Sequence, residues 1–564
     1  MSYKGIYQSW LDNEFFDQQT RDELLSIKDN EAEIEDRFYQ DLKFGTAGLR
    51  GKIGAGSNRM NKYTVSLATQ GLADTIRSYG EDAMARGVAI SHDVRHRSEE
   101  FSKVTASVLA ANGIKVYIHK ELTPTPVLSY TIRKLQTISG VMITASHNPK
   151  DYNGYKAYWE DGSQILDDIA DQILENMAKV GDFSNVRNMD FEEGVEKGLI
   201  EWVDPSVTED YIQDVLSLAI EDENIDKDMV MVYSALNGTG NVLINDILKR
   251  RGFTNVHNVK EQQQPDPDFT TVGYPNPEDP KAFAYAEKLG KEVGAKFLMA
   301  TDPDADRLAL EYMGEDGEYV FFNGNQIGSL LTYYILSRLE ANGELPSNGA
   351  IVKSLVSSEL PRAIAEDFGV ASYDTLTGFK NIFAPANEWE KNGEHTFIFG
   401  YEESIGYNYG SFVRDKDAVS SAMMVAEMVA FYEKQGQSLF DVLEELYQKH
   451  GYHLDNLVSV VLEGADGKAQ IGRIMDDYRQ KPIQDINGNK LSKIIDYKED
   501  DTGLDKSNVL KYIYEDGSWF VVRPSGTEPK IKLYIYSVAD TRDEARQKID
   551  EIYGVAYQKM MSVE

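Results

Sequence analysis

"GVMITASHNPKDYNGYKAYW", residues 140–159, joins an apolar run with the length of a buried strand to an Asn-Pro turn that carries Ser146 and His147, and Lys156 follows on the far side of an Asn-Gly turn. The strand closes a unit that starts at "GVAISHD" (87–93). There, Ser98, Glu99 and Glu100 open a helix whose apolar positions Phe101, Val104, Val108 and Leu109 share one face, and Gly113 ends it. "IKVYIH" (114–119) is the next strand, and a second helix near 126–137 leads back to the opening stretch. The order is βαβαβ-like.

The same order returns twice. "DMVMVYSALNGTG" (228–240), a helix over 241–251, the strand "VHNV", a helix over 280–294 and the strand "KFLMA" (296–300) run into "TDPDADR". "GAIVKSLV" (349–356), the helix "SSELPRAIAEDFG" and the strand "TFIFG" (396–400) run into "YEESIG". Strands separated by helices predict mostly parallel sheets, in which ligands sit beyond the carboxyl ends of strands. All three unusual motifs occupy that kind of position. After about residue 452 the pattern changes: "SWFVVRPSGTEPKIKLYIYS" (518–537) reads as two strands around a turn, and 541–561 as a closing amphipathic helix. We therefore expect three consecutive similar α/β domains with mixed, mostly parallel sheets, spanning 1–205, 206–316 and 317–451, and a smaller C-terminal α+β domain over 452–564.

Bulk composition agrees with several packed domains. The chain has 564 residues, 41% of them hydrophobic, too many for one core. With 93 acidic against 58 basic side chains the formal charge of −35 repels nucleic acid and anionic lipid, so an anionic ligand needs a local basic pocket. No cysteine is present, which excludes disulfides, thiolate catalysis and Cys-ligated metals and suits a reducing compartment. No uninterrupted apolar window approaches membrane-spanning length, and a cytoplasmic location is expected.

Four motifs carry the chemistry. Asp302, Asp304 and Asp306 alternate along "TDPDADR"; if the loop is extended, three carboxylates project to one side and suit Mg²⁺ or Ca²⁺. Arg307 and Met313 occupy the positions where an EF-hand needs Gly and Glu. The competing reading is an acidic surface loop. "RPSGTEPK" (523–530) sets Arg523, Ser525, Gly526, Thr527 and Lys530 in a turn where backbone N–H groups and a guanidinium can hold an oxyanion, though a plain hairpin loop uses similar residues. "KFGTAGLRGKIG" (43–54) is not a P-loop, because the spacing from Gly45 to Gly51 is one too long and Ile53 stands in place of Ser or Thr; Arg50 is its argument for an anion site. Ser146 has no GxSxG surroundings, which counts against a serine esterase.

Taken together and in order, "TASHNP", "TDPDADR", "GYEES" and "RPSGTEPK" resemble the phosphoserine, metal, sugar and phosphate-binding loops of the α-D-phosphohexomutase family, over nearly the whole chain. "FGTAGLRG", "NPKDYNGYKAYW" and "TLTGFK" look most like the phosphoglucomutase branch that includes phosphopentomutases. Tyr401 and Gly406 depart from the "GGE.SGH" wording of the phosphomannomutase branch. The resemblance implies four domains around a central cleft and interconversion of glucose 1-phosphate and glucose 6-phosphate through a phosphoserine and a bisphosphorylated sugar that reorients. Phosphopentomutase and phosphomannomutase activities are the alternatives within the family, and a non-catalytic sugar-phosphate-binding protein is the alternative outside it. It implies Ser146 as phosphoryl carrier, with Arg50, His147, Lys156 and Arg307 as surrounding cations. One Mg²⁺ would rest on Asp302, Asp304, Asp306 and the Ser146 phosphate, and glucose 1,6-bisphosphate would serve as primer. Thr377, Gly378, Lys380, Glu402, Ser404 and Lys416 would contact sugar, while Arg523, Ser525, Gly526 and Thr527 would grip the non-reacting phosphate. Lys156 is the candidate general acid/base, with a pKa lowered if other cations crowd it.

Overall fold

The computed structural model describes residues 2–45, 48–462, 464–525 and 530–563. Two compact units divide it: 1–323 with 404–430, and 324–403 with 431–564.

In the first unit, the opening stretch becomes β4 of a six-stranded sheet. The strands are β1 (Gly48–Lys52), β2 (Val88–His92), β3 (Val116–Ile118), β4 (Ser139–Ile143), β5 (Tyr152–Trp159) and β6 (Ile200–Trp202), in the order β1-β5-β4-β2-β3-β6. β2 runs parallel to β3 and β4, while β5 returns antiparallel to β4, because the Asn-Pro turn reverses the chain without a crossover helix. Every residue of β2 and β4 is buried, which is why both read as unbroken apolar runs. Val88, Ile90, Val141 and Ile143 join Phe101, Leu109 and Ile173 in one core, each such side chain contributing about 1.5–3 kcal/mol by leaving water. Helices Ser98–Ala111 and Thr125–Leu135 occupy the predicted places.

The second repeat forms β7 (Met231–Ser234), β8 (Val256–Asn258), β9 (Phe297–Thr301), β10 (Leu308–Met313) and β11 (Tyr319–Phe322), ordered β11-β10-β9-β7-β8. β7 is parallel to β8 and β9, and β10 turns back antiparallel to β9. The "TDPDADR" loop is the β9–β10 connection.

In the second unit, β12 (Gly349–Ser354) lies between β13 (Ala371–Thr375) and β14 (Thr396–Glu402), parallel to both. β15 (Gly406–Tyr409) belongs to the first unit, and the C-terminal sheet is built from β16 (Tyr452–Val461), β17 (Asp485–Ile486), β18 (Asn489–Asp496), β19 (Leu510–Tyr514), β20 (Trp519–Pro524) and β21 (Lys530–Ala539), in the order β16-β21-β20-β19-β18-β17 and antiparallel in its paired registers. Its core includes Ile474, Tyr478, Phe520, Leu533 and Ile552, the last from the closing helix Arg542–Met561. This is the α+β domain the sequence led us to expect. Among the described residues no helix is long and apolar enough to cross a membrane.

Candidate active site

Ser146 follows β4 directly and takes a left-handed backbone, φ +51°, a conformation that costs a β-carbon-bearing residue about 1–2 kcal/mol. Its N–H donates to Thr144 Oγ1 at 2.9 Å. Its hydroxyl, buried from bulk water, donates to Asp302 Oδ2 at 2.7 Å, while His147 Nδ1 lies at 3.3 Å. The nearer acceptor is thus an aspartate from 156 residues away, not the adjacent imidazole.

The aspartate loop is a turn, not the extended segment the alternation suggested. Ala305 adopts φ +50° and donates its N–H to the Asp302 carbonyl, while Asp302 Oδ1 accepts the N–H groups of Asp306 and Arg307, each at 3.1 Å. Turning is what brings the carboxylates together: one oxygen from each lies within 4.8 Å of the others, and all three side chains are buried. The acidic surface-loop reading is thereby excluded. The "NGTG" segment braces this turn. Thr239 N–H donates to the Pro303 carbonyl, and a β-carbon on Gly238 would come within 2.5 Å of Pro303 Cα, so a side chain there has no room.

Lysines line the other side. Lys156 on β5, opposite Met142 of β4, donates from Nζ to Asp304 Oδ2 at 2.7 Å and Asp306 Oδ2 at 3.2 Å. Lys416 Nζ lies 3.2 Å from both Asp306 Oδ2 and Asp415 Oδ1. Burial opposes the Lys156 charge, but Asp304 and Asp306 outweigh it and the pKa is raised. The expectation of a lysine depressed by crowding cations is corrected: its strongest partners are carboxylates. His147 is corrected too. Burial first, then the positive charges of Arg307 and Arg50, push its pKa well down, so the ring is neutral. Burial and the charges of Asp304 and Asp306 push Asp302 well up. Asp304, despite burial, is held low by Lys156.

Among the described residues, Asp304 Oδ1 and Asp306 Oδ1 are buried with no hydrogen-bond donor. Two orphaned hard oxygens beside a third carboxylate fit a divalent cation, which would satisfy them and relieve the repulsion. Arg50 on β1 reaches Asn148 Oδ1 at 3.4 Å, and Arg307 Nε lies 3.9 Å from Asp306 Oδ1.

Sequence reasoning missed Thr125, Asp415 and Tyr158. Thr125 Oγ1 donates to Asp304 Oδ2 at 2.9 Å, and Tyr158 donates to Asp415 Oδ2 at 2.7 Å, fixing the acid beside Lys416. The charge-dense "RDKD" (414–417), buried throughout, was the readable signal for Asp415.

In the second unit, Gly378 N–H donates to Glu402 Oε1 at 2.5 Å, bringing "TLTG" and the end of β14 together; Thr377 and Lys380 flank this contact in sequence and are half-buried. Glu403, not singled out earlier, accepts from Ser354 Oγ at 2.9 Å. Arg523 is half-buried on β20 opposite Lys532, and Ser525 N–H donates to the Lys530 carbonyl. Ser404 is half-buried and belongs to the first unit. Gly526 and Thr527 lie outside the described residues.

A serine hydroxyl and an acid triad just beyond the carboxyl ends of β4 and β9, with buried Lys156 of β5 bonded to the triad, form the candidate active site. Four domain families of phosphoglucomutase/phosphomannomutase match the chain: the α/β/α domains I, II and III over residues 41–183, 209–312 and 323–450, and the C-terminal domain over 457–553. The phosphoglucomutase of Staphylococcus aureus (strain MRSA252) is 37% identical over 559 residues, covering 96% of this chain and 98% of that protein. Two solved structures share the fold. Pp63/parafusin from Paramecium has a TM-score of 0.69 at 19% identity, covering 93% of this chain and 95% of that one. A phosphoglucomutase/phosphomannomutase family protein from Burkholderia thailandensis has a TM-score of 0.65 at 18% identity, covering 92% and 97%. The chain belongs to the phosphoglucomutase/phosphomannomutase family of the α-D-phosphohexomutases and is a phosphohexomutase enzyme.

Proposed function

We propose that this enzyme is an α-phosphoglucomutase, interconverting glucose 1-phosphate and glucose 6-phosphate, and that it works in the cytoplasm. The observation that carries the reading is the 2.7 Å hydrogen bond from Ser146 Oγ to Asp302, which sets a nucleophilic hydroxyl against the acid triad.

In this reading Ser146 carries the phosphoryl group. A sugar hydroxyl attacks phosphorus, the new P–O bond forms as the bond to Ser146 Oγ breaks, and the hydroxyl proton passes to a base. Glucose 1,6-bisphosphate results, reorients, and returns its other phosphoryl group to Ser146. The same bisphosphate primes an unphosphorylated enzyme. Mg²⁺ held by Asp302, Asp304, Asp306 and the Ser146 phosphate would neutralise phosphoryl charge and increase its electrophilicity. Phosphoryl transfer depends on position and charge neutralisation. Lys156, Arg50 and Arg307 supply cations, neutral His147 supplies a hydrogen-bonding ring, and Lys156, our candidate general acid/base, stands in its charged form ready to give a proton to the departing Ser146 oxygen. Thr377, Gly378, Lys380, Glu402, Ser404 and Lys416 are assigned to the sugar, and Arg523, Ser525, Gly526 and Thr527 to the non-reacting phosphate. The branch wording of the motifs and the 37% identity to a phosphoglucomutase support glucose over mannose or ribose.

A coupled assay with glucose 1-phosphate, mannose 1-phosphate and ribose 1-phosphate, primed with catalytic bisphosphate, tests this. Glucose 1-phosphate should give the highest kcat/KM, and Ser146→Ala should abolish turnover while folding normally. A higher kcat/KM on either other sugar reassigns the substrate; steady phosphate release at the rate of substrate loss would make the enzyme a phosphatase.

A further inference from the structure

Ser146 is held in its left-handed conformation by a side chain with no place in the reaction described above. Arg95, in the loop between β2 and the helix Ser98–Ala111, is buried, and its guanidinium spends its donors on the backbone of the serine turn. Nη2 donates to the carbonyls of Ser146 and Asn148, both at 2.5 Å. Nη1 donates to the carbonyls of Pro149 at 2.8 Å and Tyr152 at 3.1 Å. Four carbonyls over seven residues thus converge on one fork, whose planar geometry a lysine cannot reproduce.

The fork is itself fixed. Arg95 Nε lies 3.2 Å from Asp93 Oδ2, both side chains being fully buried. Asp93 Oδ1 accepts from the Arg95 N–H and from Ser98 Oγ, and Asp93 Oδ2 accepts from Thr144 Oγ1 at 2.7 Å. Thr144 Oγ1 in turn accepts the Ser146 N–H. The Phe269 ring, buried in the second α/β repeat, covers the guanidinium, its centroid 5.0 Å from Cζ. Ser146 is therefore gripped at its carbonyl by Arg95 directly and at its N–H through Thr144 and Asp93. A strained φ persists only where the surroundings over-determine it.

We propose that Arg95, seated by Asp93, is the positioning residue that aims Ser146 Oγ at the acid triad and makes the serine competent for phosphoryl exchange. This rests on reading Ser146 as the phosphoryl carrier. Displacement of about 1 Å in a reacting group costs on the order of 100-fold in rate, so the effect should fall on kcat.

Arg95→Lys and, at one remove, Thr144→Val test the claim against the parent. In mutase assays Arg95→Lys should lower kcat about 100-fold and Thr144→Val about 10-fold, with KM for glucose 1-phosphate within about threefold. Phosphate incorporation at Ser146 from glucose 1,6-bisphosphate, read by intact mass, should slow in parallel. Hydrogen exchange gives a readout independent of turnover: amides 145–148 should exchange at least about tenfold faster in Arg95→Lys, while β2 and β4 stay protected. If Arg95→Lys does not fold, Thr144→Val carries the same measurements. Parent-like kcat and parent-like exchange in a folded variant overturn the proposal. A parent enzyme without mutase turnover overturns the functional reading instead, and exchange at 145–148 then decides whether Arg95 sets the turn.

Discussion

Two charge clusters, one buried in the first unit and one half-buried in the second, balance their charges differently. In the first unit, Asp302, Asp304, Asp306 and Asp415 face Lys156 and Lys416, with the Arg307 guanidinium 3.9 Å from Asp306, and among the described residues Asp304 Oδ1 and Asp306 Oδ1 have no hydrogen-bond donor. In the second, Glu359 and Asp374 face three cations: Lys353 at 3.2 and 2.9 Å, Arg362 at 3.1 and 2.7 Å, and Lys511 at 3.6 Å from Glu359. Lysine pKa follows the surroundings. Lys156 is raised because Asp304 and Asp306 outweigh burial, whereas Lys511 is lowered because burial outweighs Glu359 and Lys353 repels it. A cluster short of positive charge fits an added cation; one that already holds enough can hold structure, here joining the β12 segment to the C-terminal sheet through the Lys511 bond to the Leu355 carbonyl.

The comparison can be broken at either end. The largest effect is expected on activity at the cation-deficient cluster: Asp304→Asn should lower kcat/KM by about 10³-fold or more with Mg²⁺ present, measured by the coupled assay. Next, Glu359→Gln should cost about 3 kcal/mol in urea unfolding, because Lys353 is left buried with one carboxylate, and Mg²⁺ should not restore the loss. Adding Mg²⁺ to about 100 times its Kd should stabilise the parent by about 2.7 kcal/mol and leave Asp304→Asn nearly unchanged, read as the shift in unfolding midpoint. Gly238→Ala should cost about 1–3 kcal/mol and weaken Mg²⁺ binding in a calorimetric titration, since the new methyl displaces Pro303 in the aspartate turn.

The smallest effect sharpens the rule. Glu311 on β10 is a buried carboxyl whose Oε2 has no hydrogen-bond partner among the described residues, and burial, with a contribution from Glu287, pushes its pKa up to about 8 from the ordinary 4.5. With no lysine bonded to it among the described residues, it keeps its proton. Its folded value lies above its unfolded value, so the unfolded chain ionises first and stability falls as pH rises from about 4.5 to about 8. Relative to Glu311→Gln, the parent should lose about 1–2 kcal/mol between about pH 5 and about pH 9, allowing for solvent screening, as measured by urea midpoints.

Much of this was legible in the chain. Runs such as "GVMIT" and "KFLMA" announced fully buried strands, and helices between them announced parallel pairing, because period and burial are local properties. The antiparallel return of β5 was less legible, since an Asn-Pro turn does not state which neighbour the next strand pairs with. Arg95, Thr125 and Asp415 were missed because each acts on residues distant in sequence: Thr125 on Asp304, Arg95 on the serine turn, Asp415 through Tyr158.

The sequence by itself determined the order of elements, a hydroxyl and three aspartates just past strand ends, a lysine ten residues beyond that hydroxyl, and a strongly acidic composition. Tertiary structure decided what those groups are chemically. Alternating aspartates converge only because Ala305 turns left-handed, Ser146 meets Asp302 only because two sheets bring their strand ends together, and Lys156 stays charged because its neighbours are carboxylates. Charge state is a property of surroundings, and surroundings are set by contacts between residues that sequence keeps far apart.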